Sequence, residues 1–157
     1  MTSVDFEIVD VQDLEQAWPD IRRLYMELDE YHRPLTGREL RGDWEPTFHE
    51  HLNSLTEGLV LLATAAGEAI GFMNATVLGR EGVFPEPYGW VDNACVTASW
   101  RSKGVGRALL ARVEVWCRNK GIADLRLNVM AANNAGIAAW QAMGFEPWSH
   151  TVRKALR

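Results

Sequence analysis

The chain has 157 residues, 47% of them hydrophobic and 24% charged, with a formal net charge of −5. That length supports one domain spanning residues 1–157 with its own core, and the composition is that of an ordinary globular protein. The acidic balance argues against nucleic acid as a main partner, no apolar run approaches the ~18 residues of a membrane span, and two cysteines are too few for a disulfide framework.

In chain order, the opening residues lack the basic and then apolar blocks of a secretory leader. Together with the sparse cysteines this predicts a reducing, cytoplasmic setting. Residues 6–10 alternate weakly, as a first strand would. Between 13 and 31, Leu14, Trp18, Ile21, Leu24, Tyr25 and Leu28 recur at helical spacing, and Pro19 predicts either a break or two helical pieces. A loop is expected over 34–42 and a second helix over 44–55, ended near Gly58. Residues 59–64 and 68–77 read as strands joined by a tight Ala66-Gly67 turn. The segment 79–87, rich in Gly, Pro and acid, is expected to be a loop, and 88–96 a strand.

The next helix is well defined. Val105, Leu109, Val113, Trp116 and Cys117 share one face, Arg112, Arg118 and Lys120 lie off it, and Gly121 supplies its end. A strand over 125–130, a helix over 134–143 capped by Asn133 or Asn134, and a last strand over 146–156 complete the chain. Strands both precede and follow helices, so the class is α+β or α/β with one central sheet.

The most informative segment joins the 88–96 strand to the helix that follows it. A helix start carries unpartnered N–H groups and a positive partial charge, which bind phosphate. Gly104 and Gly106 allow close approach, while Arg101, Lys103 and Arg107 add formal charge. The segment reads as a cradle for a pyrophosphate. It is not a P-loop, because Lys103-Gly104 reverses the Gly-Lys order. A dinucleotide fingerprint would place a third small residue where Leu109 stands, and would sit in the first strand-to-helix turn of its sheet. What remains is Arg101-x-x-Gly104-x-Gly106.

That spacing resembles motif A of the GNAT N-acetyltransferase superfamily, [Q/R]-x-x-G-x-[G/A], which holds the pyrophosphate of acetyl-CoA. Downstream, residues 125–130 look like the family's next strand. Asn133, Trp140 and Gly144-Phe145 follow the spacing of its N-x-x-A-x-x-x-Y-x-x-x-G-F signature. The resemblance implies a single domain with a central mixed, mostly antiparallel sheet flanked by helices. It also implies acetyl-CoA as acetyl donor, with the backbone of Ser102, Lys103, Gly104, Val105, Gly106 and Arg107 around the pyrophosphate, helped by the Arg101, Lys103 and Arg107 side chains.

The resemblance extends to individual site residues. The backbone of Ala94, Cys95 and Val96 would meet the pantetheine arm and the acetyl carbonyl, or else be plain sheet. Asp92 stands where many members carry an acid that takes the amine's proton. It is equally readable as an ammonium partner or as an edge-strand carboxylate held by hydrogen bonds. Asn133 has both a capping role and a pantetheine role. Trp140 replaces the usual tyrosine, and indole is no acid at neutral pH. It is read as packing that also contacts the cofactor, which leaves a water, Tyr88 or no group at all as the acid. Asn128 stands where some members carry a catalytic glutamate.

The acceptor wall is expected from the first two helices, with Tyr31 and Trp44 binding substrate and His49 and His51 too poorly spaced to share a metal. The implied activity is acetyl transfer to a primary amine of a small molecule. A protein acetyltransferase with 78–87 shaping a peptide groove, and a non-catalytic acyl-CoA sensor, stand as alternatives. A homodimer through the last strands is compatible with the sequence.

Overall fold

The computed structural model describes residues 5–156, so the reading made on residues 1–4 lies outside the described residues. Five strands form one sheet in sequential order: β1 (Glu7–Asp10), β2 (Gly58–Ala65), β3 (Glu68–Arg80), β4 (Val83–Val96) and β5 (Leu125–Leu127). All neighbours are antiparallel except β4 and β5, which run parallel. The sheet is therefore mixed and mostly antiparallel, as the resemblance implied. The β2–β3 turn carries positive φ at both central residues, Ala66 at 50° and Gly67 at 81°. That is the hand that joins twisted strands without splaying them.

The helices are α1 (Leu14–Thr36), α2 (Trp44–Asn53), α3 (Val105–Asn119) and α4 (Asn134–Ala142), with a short 3₁₀ turn over Ala98–Trp100. One sheet face packs on α3, with Leu61, Met73 and Val91 in one cluster with Val105, Leu109 and Val113. The approach is close because Gly71 has no side chain: a Cβ there would stand 3.1 Å from Val105 Cγ1. The opposite face packs on α1 and α2, where Ile21, Leu24, Phe48 and Leu52 cluster with Leu62 and Phe72. Each such side chain contributes about 1.5–3 kcal/mol when removed from water. Arg112 of α3 forks onto both carboxylate oxygens of Asp10, fastening the helix layer to β1.

Four sequence expectations change. The strand expected over 125–130 stops at Leu127. The first helix is continuous through Pro19 and Pro34 and ends at Gly37 in the left-handed conformation. Pro19 is its sixth residue and forfeits one backbone bond, a local loss that the burial of Ile21 and Leu24 outweighs. The segment 79–87 is no loop. β3 runs to Arg80 and β4 starts at Val83, so a long hairpin projects there. The strand expected over 146–156 is absent: those residues join no ladder, and the β5 edge offers only three residues.

Candidate active site

The sheet opens at one place. β4 pairs with β5 only at Gly89, Trp90 and Val91, and β5 stops there while β4 continues to Val96. At the same point the β3–β4 register slips: Asn74 faces Asn93 and Ala75 faces Val91, which leaves Asp92 as the extra residue of a bulge. Beyond the bulge, Thr97 N–H donates to Ile70 O at 2.9 Å. Alternation by two turns the backbone of Cys95 to β3 and that of Ala94 and Val96 into the gap. Of the three residues expected to meet the thioester, Ala94 and Val96 therefore turn their backbone to the gap and Cys95 does not. The Cys95 thiol is buried, and burial, then the charge of Glu27, push it up to about 12.

The cradle lies at the end of this gap. Ser102 (φ 60°) and Gly104 (φ 88°) adopt left-handed backbone, so successive N–H groups converge on one concavity. The first intrahelical bond of α3 closes from Ala108 N–H to Gly104 O at 3.0 Å, and no side chain caps the helix. The N–H groups of Val105, Gly106 and Arg107 are left facing outward. By contrast, Asp13 caps α1 and Asn133 caps α4. A Cβ built at Gly104 would meet nothing within 4 Å, and one at Gly106 only Val96 Cγ2 at 3.8 Å. The space above the cradle is open and lined by donors, which fits a pyrophosphate.

The cationic side chains are engaged elsewhere. Arg101 Nε donates to Val96 O at 3.0 Å, Lys103 Nζ sits 5.2 Å over the Trp100 ring, and Arg107 donates to Ala142 O at 3.3 Å. That leaves the backbone N–H groups as the donors facing the cradle.

Across the gap, Asn133 Oδ1 accepts from Gly136 N–H at 2.9 Å and from the Tyr31 hydroxyl at 3.0 Å. The Arg101 guanidinium lies 5.3 Å over the Tyr31 ring. Tyr31 thereby bridges α1 to the groups expected to hold the cofactor, rather than lining the acceptor wall alone. Glu27 of α1 accepts from Thr97 Oγ1 at 2.8 Å and from Ala98 N–H at 3.0 Å, pinning the chain just before the cradle.

The acceptor side is aromatic and acidic. Tyr25 stacks between Trp44, at 5.3 Å, and Phe48, at 4.0 Å. Its phenol is raised above the ordinary value by burial first, then by the charges of Asp92 and Asp29. Asp92 Oδ2 meets His51 Nε2 at 2.9 Å, Asn93 Nδ2 at 3.3 Å and Asn74 Nδ2 at 3.5 Å. His49 turns away from this wall onto Glu15, at 2.8 Å.

Residues 18–145 match the acetyltransferase (GNAT) family. The chain belongs to that family. It is 36% identical over 99 residues to an aminoglycoside N(6′)-acetyltransferase type 1 of Stenotrophomonas maltophilia, covering 61% of this chain and 65% of that enzyme. It is 31% identical over 138 residues to the mycothiol acetyltransferase of Paenarthrobacter aurescens, covering 88% of this chain and 41% of that protein. The chain thus spans less than two thirds of the length of either relative. The structure of the aminoglycoside N-acetyltransferase AAC(6′)-Iy in complex with CoA shares the fold, with a TM-score of 0.77 at 23% identity over 98% of this chain and 95% of that one.

Set in the GNAT family's pattern, α4 departs twice. The alanine of the signature is Gly136, where a Cβ would lie 2.3 Å from Asn133 Nδ2. The capping geometry of Asn133 therefore excludes the usual alanine. Trp140 packs on the α3-side cluster and edge-on to Phe145 at 5.4 Å, in keeping with a packing role. Tyr88 lies four residues before Asp92, about 13 Å along the strand, with its ring under Arg126 at 4.0 Å. It is out of reach of the gap. Sequence reading missed the His51–Asp92 contact, since 41 residues separate the two. It also passed over Asn74, whose signal was present: a lone amide inside an apolar strand needs a polar partner.

Proposed function

We propose that this GNAT chain transfers the acetyl group of acetyl-CoA to a primary amine of a small molecule by direct attack. The observation that carries the reading is the continuity of one slot. It runs from the uncapped α3 start, past the Ala94 and Val96 backbone that β5 does not reach, to the bulged Asp92 between aromatic walls. Acetyl-CoA enters as co-substrate, its pyrophosphate on the 102–107 backbone and its arm against Val96 and Asn133. Ala94 N–H is placed for the carbonyl oxygen on which negative charge develops.

The acceptor arrives as an ammonium, with a pKa of about 10, and must lose one proton before it attacks. Asp92 binds that ammonium and receives the proton. A second proton passes from nitrogen to the departing sulfur, so the products are an amide, CoA thiol and one released proton. A cysteine-linked acetyl intermediate has no support, because Cys95 is buried with its thiol raised to about 12.

A small amine is favoured over a peptide on two grounds. The relatives are named an aminoglycoside N(6′)-acetyltransferase and a mycothiol acetyltransferase. The segment once expected to shape a peptide groove is instead a hairpin whose tip, at Glu81-Gly82, lies about 30 Å along β4 from Asp92. The reading includes a cytoplasmic setting and a homodimer built through residues 146–156.

The test has two steps. Thermal unfolding with acetyl-CoA, CoA, NAD and ATP in turn should show a rise of about 5–10 °C with the CoA compounds alone at ~100 times Kd. Turnover of acetyl-CoA is then followed with kanamycin, neomycin, spermidine and free amino acids. Acetylation of one of them supports the reading. A shift with CoA and no acetylation of any amine selects the acyl-CoA sensor instead.

A further inference from the structure

All hydrogen bonds to the Asp92 side chain fall on one oxygen. Oδ2 takes His51, Asn93 and Asn74, while Oδ1 accepts none among the described residues. The three donors are not equivalent. Asn74 stands at 3.5 Å, the outer limit of a hydrogen bond, and Asn93 makes its shorter bond, 2.9 Å, to Asn74 Oδ1. Only His51, at 2.9 Å, holds the carboxylate closely. A carboxylate's last torsion is broad and nearly free, so its aim is set by what holds it. His51 comes from the last turn of α2 and Asp92 from the β4 bulge, two elements that meet at the mouth of the slot.

We infer that His51 is the positioning residue of the acceptor site: its Nε2–H holds Asp92 Oδ2, which leaves Oδ1 aimed at the ammonium of the incoming amine. The inference rests on Asp92 as the ammonium partner and names the group that makes it one. It carries a charge condition. A neutral imidazole donates to Asp92 without competing for it. A protonated one pairs with the same carboxylate and places a second cation beside the ammonium. Among the described residues, the other groups around the pair are Asn74, Asn93 and Tyr25, with Asp29 beyond Tyr25. None offers a second cation. An imidazole that carries charge therefore binds a cationic acceptor less well than a neutral one.

Two substitutions separate aim from charge. His51→Leu removes the donor, whereas His51→Gln keeps an N–H and cannot be charged. The amine acetylated by the wild type in the panel above is used at pH 5.5–9, with acetyl-CoA saturating. His51→Leu should raise KM for the amine roughly tenfold or more, the cost of a lost charge-assisted hydrogen bond, without moving KM for acetyl-CoA. His51→Gln should stay within about threefold of wild type at pH 8 and keep a flat amine KM towards pH 5.5, where the wild-type value climbs. An unchanged amine KM in His51→Leu, or a wild-type climb retained in His51→Gln, overturns the proposal.

One arm needs no substrate. The ¹⁵N spectrum of His51 in the free protein should show the Nε2-protonated tautomer, and an Nδ1-protonated ring overturns the proposal whatever the kinetics. Equal stabilisation of all variants by acetyl-CoA separates these outcomes from misfolding. If the wild type acetylates no amine, the acetyl-transfer reading fails, and the proposal with it.

Discussion

Cys95 sits between the two residues whose backbone faces the gap, and the chemistry available to it is decided by burial rather than by position. A thiol raised to about 12 carries almost none of the thiolate that a covalent route requires at neutral pH. Cys95→Ala should therefore leave kcat within about threefold of wild type, with a stability loss of about 1 kcal/mol for the small cavity. Steady-state kinetics and a denaturant titration measure both. A collapse of kcat with the fold intact would restore the acetyl-cysteine route. The native protein should also react with neither cysteine in a thiol assay and expose both on unfolding, since Cys95 and Cys117 are buried. The same scale shows why the GNAT resemblance could single out Asp92 while the His51–Asp92 contact stayed hidden. Asp92 sits two residues before the Ala94 backbone and four before Val96, whereas nothing local links a histidine in one helix to a carboxylate 41 residues away.

At the scale of elements, the proposed cradle depends on α3 beginning without a side-chain cap. Gly106 is the position where fold and ligand make opposite demands. A Cβ there meets only Val96 Cγ2, at 3.8 Å, so the protein has room for a larger side chain that the ligand does not. Gly106→Val should fold with Tm within about 3 °C of wild type, because valine's helix cost is no greater than glycine's. It should lose at least tenfold in acetyl-CoA affinity, about 1.4 kcal/mol, by calorimetry. Unchanged affinity would move the pyrophosphate away from α3. The cradle was legible because strand, turn and helix are contiguous and their spacing is rigid. The continuous α1 was not, because a proline's local cost is visible in sequence while the burial of Ile21 and Leu24 against Phe72 is not. The β3–β4 hairpin was hidden for the same reason: Gly79, Gly82 and Pro87 signal turns locally, and only pairing across the hairpin extends both strands through them.

At the scale of the whole molecule, residues 146–156 pose the remaining question. They were expected to form a strand, and their sequence suits one: Trp148, Val152 and Leu156 occupy even positions and would share one face. In the isolated chain these three are 69%, 90% and 90% exposed, and the segment joins no ladder. The sheet edge it follows, β5, is three residues long, too short to pair with an eleven-residue strand. A segment with exposed apolar side chains and no ladder partner is a candidate for pairing with another chain. A second copy meets that need by symmetry, since each tail offers the other both a backbone partner and an apolar face. Sedimentation at 1–100 µM should then show a dimer, and Trp148→Glu should shift it to monomer while acetyl-CoA still raises Tm. The Trp148 ring lies 5.4 Å from the Arg126 guanidinium of β5, and the oligomeric state and the acetyl-CoA shift are read separately. A wild type that stays monomeric at the highest concentration would overturn the dimer and leave the acetyl-CoA site untouched.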